Sequence, residues 1–114
     1  MEDDDFKEQG SNSPQPTSTS TMTLQKAIDL GEYDPLYLGQ FPEWYALSRN
    51  IQFEFIRKAL QTRNAQLLKQ WAEIVNILDF RLKPHLKLAL KNVENQLEKV
   101  KEDKERLYVE YSTF

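Results

Sequence analysis

Two runs of helically spaced apolar residues, separated by one proline, constrain the fold of this chain most strongly. The first run has neither Gly nor Pro from residue 43 to residue 83. The second run keeps apolar residues at steps of three and four, with Lys104 as its one polar position. Steps of three and four residues place side chains on one face of an α-helix. We therefore predict one long helix over residues 42–81 and a second over residues 86–112.

Pro84 predicts how the two helices are joined. Proline cannot continue a helix, it disfavours helical geometry at Lys83, and it suits the first turn of a following helix. We place a turn at residues 82–85, so that two antiparallel neighbours form a coiled-coil-like helical hairpin in an all-α fold. One continuous, kinked helix is the less favoured alternative.

A turn centred near residue 83 predicts the register of the hairpin. Tyr111 would then lie opposite Phe55, and Lys104 would lie at the level of Arg63. These two cations either form a polar layer between the helices, with Asp103 or Glu102 nearby, or extend into solvent.

The residues before the hairpin divide into a tail and a cap. Residues 1–22 are acidic and then rich in Ser, Thr and Pro, which is the composition of a disordered segment. Residues 23–41 carry two sets of start and stop signals for short helices, namely Thr23 with Gly31, and Asp34 with Gly39. We expect this cap to pack on the open end of the hairpin and to complete one helical domain over residues 23–114.

Five of the thirteen aromatic residues lie in residues 31–48. Five such side chains represent about 1,000 Å² of surface, more than monomers usually expose, so burial is the favoured interpretation. The alternative is a surface that binds a protein partner or a second copy of the chain, as in a homodimer. Its candidate residues are Tyr37, Phe41, Trp44 and Tyr45.

Charge is distributed unevenly along the chain, whose net charge is −3. Residues 1–48 hold two Lys and nine acids, residues 49–91 hold nine Lys or Arg and three acids, and residues 92–114 hold four and six. The turn concentrates cations, with no acid among residues 80–93. These candidate nucleic-acid-binding residues are Arg81, Lys83, His85, Lys87 and Lys91. The alternative explanation for Arg81 and Lys83 is that a helix C-terminus and a turn favour cations, through the helix dipole and solvation.

No residue pattern indicates catalysis. The chain has no Cys and a single His, His85, and it has no glycine-rich phosphate loop. We therefore expect no enzyme activity, no cofactor or metal and no small-molecule substrate. No apolar run reaches the length of a membrane span, and we expect a cytoplasmic protein. The sequence favours a non-enzymatic adaptor or scaffold that works through protein–protein contact, with a nucleic-acid-associated protein as the alternative.

Overall fold

The computed structural model describes residues 22–112, and these residues contain α-helices and 3₁₀ turns but no strand. The four α-helices are α1 (Leu24–Asp29), α2 (Pro35–Leu38), α3 (Arg49–Val75) and α4 (Pro84–Ser112). The helices α3 and α4 pack against each other as a hairpin, which confirms the predicted fold class. The predicted tail, apart from Met22, lies outside the described residues.

The first long helix is shorter at both ends than the predicted range of 42–81. Residues Pro42–Ala46 form a separate 3₁₀ turn, and α3 starts only after Ser48, whose Oγ accepts a hydrogen bond from the Ile51 amide at 3.2 Å. Leu47 and Ser48 have extended backbone angles. The helix boundary is therefore set by an N-cap serine, and the absence of Gly and Pro did not reveal it.

The connection between the long helices spans residues 76–83 and so begins earlier than the predicted turn at 82–85. Asp79 adopts a left-handed conformation, with φ of 58°, and residues Phe80–Leu82 form a 3₁₀ turn. Pro84 is the first residue of α4, as expected for a proline at a helix N-terminus. Two long helices of 27 and 29 residues result, with nearly equal lengths.

The helix α1 and the turn after it lie against α3. Gly31 is buried with φ of +91°, and a Cβ atom there would lie 3.3 Å from the backbone of Arg63. The Arg63 Nε donates to the Gly31 carbonyl at 3.3 Å, and the Gln66 side-chain Nε2 donates to the Leu30 carbonyl at 3.1 Å. Glycine is thus required here by both backbone conformation and close approach.

The buried core occupies the half of the hairpin that the cap covers. On α3 the last buried residue is Leu67, and on α4 the first is Val93. Beyond them, towards the turn, the hairpin has two layers instead of three. The cluster of buried residues is Leu24, Ala27, Ile28, Leu38, Trp44, Ile56, Ala59, Leu60, Leu67, Val93, Val100, Leu107 and Tyr111.

Candidate functional site

Of the four aromatic residues that are candidates for binding a partner, one is buried and three keep exposed surface. Trp44 is only 3% exposed and belongs to the core, which corrects its assignment as an anchor for a partner. Tyr37 and Phe41 are half-buried and pack edge to face, with ring centroids 5.8 Å apart. Tyr45 alone is largely exposed, at 75%, and its hydroxyl rests over Gly39. The aromatic cap therefore fills the third layer of the fold.

Asp103 fastens the cap to α4. Its carboxylate accepts hydrogen bonds from the Tyr33 hydroxyl at 2.6 Å and from Lys99 at 2.9 Å, with Arg106 at 3.4 Å. Burial alone would raise the pKa of Asp103, but these hydrogen bonds outweigh burial and hold the pKa below its usual value. Burial and the bond to Asp103 raise the pKa of Tyr33.

The two cations predicted to face each other across the hairpin have separate contacts. Arg63 bonds to the backbone of Gly31 and lies 3.8 Å from the carboxylate of Glu32. The exposed ammonium of Lys104 lies 5.5 Å from the ring centroid of Tyr108. Arg63 therefore contacts the cap, whereas Lys104 is exposed beside Tyr108. The two cations do not form a polar layer between α3 and α4.

Contacts at the open end show the register of the hairpin. Phe53 packs against Tyr108 and Tyr111, with ring centroids 5.1 Å and 6.2 Å away. The predicted partner of Tyr111 was Phe55, two residues further along α3. Nearer the turn, the Trp71 indole nitrogen donates to the Glu94 carboxylate at 3.3 Å.

We define the hairpin tip as residues 76–91, which comprise the connection and the first two turns of α4. All five predicted nucleic-acid-binding residues lie there, and all five are exposed. Within the described part of the chain, none of them lies within 4 Å of a carboxylate. The Arg81 guanidinium lies 4.8 Å from the Phe80 ring centroid, and the Lys83 ammonium donates to the Leu78 carbonyl at 3.1 Å.

The C-terminus of α3 does not account for Arg81 and Lys83, which lie in the connection that follows it. The helix α3 ends at Val75, well before Arg81 and Lys83. Lys83 and Lys87 instead flank the N-terminus of α4, where the helix dipole is positive and disfavours cations. Side-chain charge and helix dipole therefore add up to a positive potential at the tip.

The hairpin tip also exposes large apolar side chains that the sequence reasoning missed. Leu78, Leu82 and Leu88 are 81%, 79% and 64% exposed. The connection encloses a depression of about 600 Å³, lined by residues 75–82. The predicted helix over residues 42–81 included Leu78, and the early end of α3 leaves this residue exposed in the connection. In the sequence, the position of Leu82 between two cations in the predicted turn was the available indication that apolar side chains are exposed here.

A second depression, of about 530 Å³, lies between α3 and α4 on the side away from the cap. We call it the groove. Its floor is apolar, and charged side chains flank it on both helices. The residues that line it are Arg57, Leu60, Gln61, Asn64, Leu68, Glu94, Leu97, Glu98, Val100, Lys101, Lys104 and Tyr108.

Comparisons with protein-family models, with curated proteins and with solved structures return no match. Over residues 22–112, no helix is both long enough and apolar enough to cross a bilayer. The same stretch holds no group of three His, Cys, Asp or Glu side chains placed to share a metal ion. The hairpin tip and the groove are therefore the two candidate functional surfaces.

Proposed function

We propose that the protein is a non-enzymatic helical adaptor that captures a protein partner through its hairpin tip. The observation that carries this proposal is the exposure of Leu78 and Leu82, which line one depression of the connection, with Leu88 exposed on the first turns of α4. Single exposed apolar residues are ordinary on protein surfaces, whereas a cluster of them marks interaction sites.

The chemistry of the hairpin tip favours an amphipathic helix with acidic flanks as the partner. An apolar helix face would cover Leu78 and Leu82, and burial of one leucine stabilises a complex by about 1.5–3 kcal/mol in upper-bound terms. Carboxylates beside that face would meet Arg81, Lys83, Lys87 and Lys91, none of which has an acidic partner among residues 22–112. Such complementarity accelerates association and selects against basic partners.

Binding of a nucleic acid is the second candidate function, and the positive potential at the N-terminus of α4 favours it. Phosphate contacts need cations and no particular motif. The exposed leucines favour the protein partner, because apolar side chains add nothing to contact with a phosphate backbone.

The experiment compares two probes by fluorescence anisotropy. One is a labelled amphipathic peptide of about 20 residues with a leucine face and glutamate flanks, and the other is a labelled duplex of about 20 base pairs. We expect the peptide to bind in the micromolar range, and Leu82→Asp to weaken that binding at least about tenfold. The matched control is Leu36→Asp, since Leu36 is equally exposed but lies on α2.

Two outcomes would replace or remove the adaptor proposal. Binding of the duplex that weakens steeply with salt, is lost on charge reversal at Lys83, Lys87 and Lys91, and is unaffected by Leu82→Asp would assign the tip to nucleic acid. Binding of neither probe at low salt would overturn both assignments of the hairpin tip.

A further inference from the structure

The charges that flank the groove are sorted along its length. Glu94 and Glu98 lie at the end nearer the hairpin tip, and Lys101 and Lys104 lie at the end nearer the cap. These four residues follow one another at three- and four-residue steps on α4, so they share one face of the helix. The groove is therefore acidic at one end and basic at the other.

Most of these charges have no ionic partner within the described residues. No opposite charge lies within 4 Å of Glu98, Lys101 or Lys104 in residues 22–112. Glu94 accepts the hydrogen bond from Trp71, and Arg57, at the basic end, pairs with Glu54 at 2.7 Å. Both ends of the groove thus keep charge available for a complementary surface.

Apolar side chains are exposed beside the groove on the same face. Leu68 is about half-exposed and Trp71 slightly less, and both lie on α3 near the acidic end. The floor between the helices is formed by Leu60, Leu97 and Val100. The cap cannot cover this face, because it occupies the opposite side of the hairpin through Arg63 and Asp103.

We infer that the groove binds a second copy of this chain, related by a two-fold axis that crosses the middle of the groove and makes the paired hairpins antiparallel. The acidic end of each copy then lies on the basic end of the other, with Glu94 of one copy at the level of Lys104 of the second and Glu98 at the level of Lys101. A parallel pair would place like charges together. This inference uses a different surface from the proposed adaptor function and does not depend on it.

The size of the face sets the expected strength of the dimer. The face runs about 21 Å along α3 from Arg57 to Trp71 and is two helices, about 20 Å, wide. That footprint is about 400 Å² per copy, or about 800 Å² in total, which is the size of a weak, transient interface. We expect a reversible dimer with a micromolar dissociation constant.

A charge swap tests the antiparallel arrangement by sedimentation equilibrium of the full chain. Glu94→Lys and Lys104→Glu should each weaken dimerisation about tenfold, because each replaces attraction by repulsion at two symmetry-related positions. The double variant should recover most of the lost affinity. Residues 94 and 104 are ten positions apart on one helix and cannot pair within a copy, so recovery reports contact between copies.

A second pair of variants tests the face itself. Leu68→Glu should weaken dimerisation at least about a hundredfold, whereas Val109→Glu should not, since Val109 is strongly exposed but lies outside the groove. Circular dichroism should show unchanged helix content in both. A wild-type chain that stays monomeric at about 200 µM, well above the expected dissociation constant, would overturn the inference. So would tighter dimers in the single charge variants. Peptide binding at the hairpin tip should persist in Leu68→Glu, which separates failure of this inference from failure of the adaptor proposal.

Discussion

Asp103 shows how one half-buried carboxylate orders a connecting segment. Its acceptor oxygens are shared by Tyr33 on the cap and by two cations on its own helix, so its negative charge is stabilised in the folded chain alone. Charge-assisted hydrogen bonds are about twice as strong as neutral ones. The cap is therefore held by a polar contact in addition to the burial of its apolar residues.

Asp103→Asn should destabilise the protein by about 1–2 kcal/mol at pH 7, since the amide keeps one hydrogen bond but loses the charge. The pKa of Asp103 is lowered on folding, so its contribution is complete above the unfolded value, near 3.9, and is lost as pH falls through the folded value. The difference in stability between wild type and variant should therefore shrink below about pH 4. Urea denaturation from pH 3 to pH 7 measures this difference.

Glu105→Gln is the matched control, because Glu105 is an exposed carboxylate on the same helix. We expect it to change stability by less than about 0.5 kcal/mol at every pH. A constant difference between wild type and Asp103→Asn down to pH 3 would contradict the role given to the charge.

At the scale of the elements, apolar spacing predicted which segments are helical but not where α3 begins and ends. Apolar spacing indicates which face of a helix is apolar. The predicted range of 42–81 therefore included Leu47 and Leu78, although neither residue lies in α3. The ends depend on local contacts instead, such as the Ser48 cap and the left-handed Asp79. Pro84 was informative because its ring fixes the backbone, and α4 begins at that residue.

The candidate sites were predictable to the extent that they depend on composition. The cations of the tip were found because charge clustering is visible in a sequence. The burial of Trp44 required the cap to be placed on the hairpin. The groove was not found, since its sorted charges are recognised only once the covered face of the hairpin is known.

Asp79→Gly tests the geometry of the connection. A left-handed conformation costs a residue with a Cβ atom about 1–2 kcal/mol, less for Asp than for most, whereas glycine adopts it freely. We expect Asp79→Gly to stabilise the protein by about 0.5–1 kcal/mol in thermal denaturation. Asp79→Ala removes the same charge without freeing the backbone and should stabilise nothing. Equal effects of the two substitutions would show that charge, rather than backbone conformation, decides the outcome.

Across the whole molecule, packing is dense where three layers meet and thin towards the hairpin tip. The buried residues of α3 lie between Ile56 and Leu67, and none lies in the last two turns of the helix. Both long helices keep their internal hydrogen bonds throughout, so the two halves differ in side-chain burial alone. Local opening should therefore be easier near the tip.

Amide hydrogen exchange measures this difference. We expect protection factors in residues 68–75 and 86–92 to be at least about tenfold lower than in residues 56–67 and 93–107, which corresponds to about 1.4 kcal/mol of local stability. Each helix contributes amides to both groups and so provides its own control. Uniform protection along α3 would contradict the statement that the hairpin has only two layers beyond Leu67.

The distance between the groove and the hairpin tip has a consequence for avidity. In the proposed dimer, each tip lies about 22 Å from the two-fold axis, because about 15 positions of α4 separate Lys99, near the level of the axis, from Pro84. The two tips would then point in opposite directions, about 45 Å apart. A partner with two binding segments joined by a linker that spans this distance would bind up to about 10²–10⁴ times more tightly than either segment alone. A partner with a shorter linker would gain nothing, so the spacing of the tips would act as a ruler for bivalent partners.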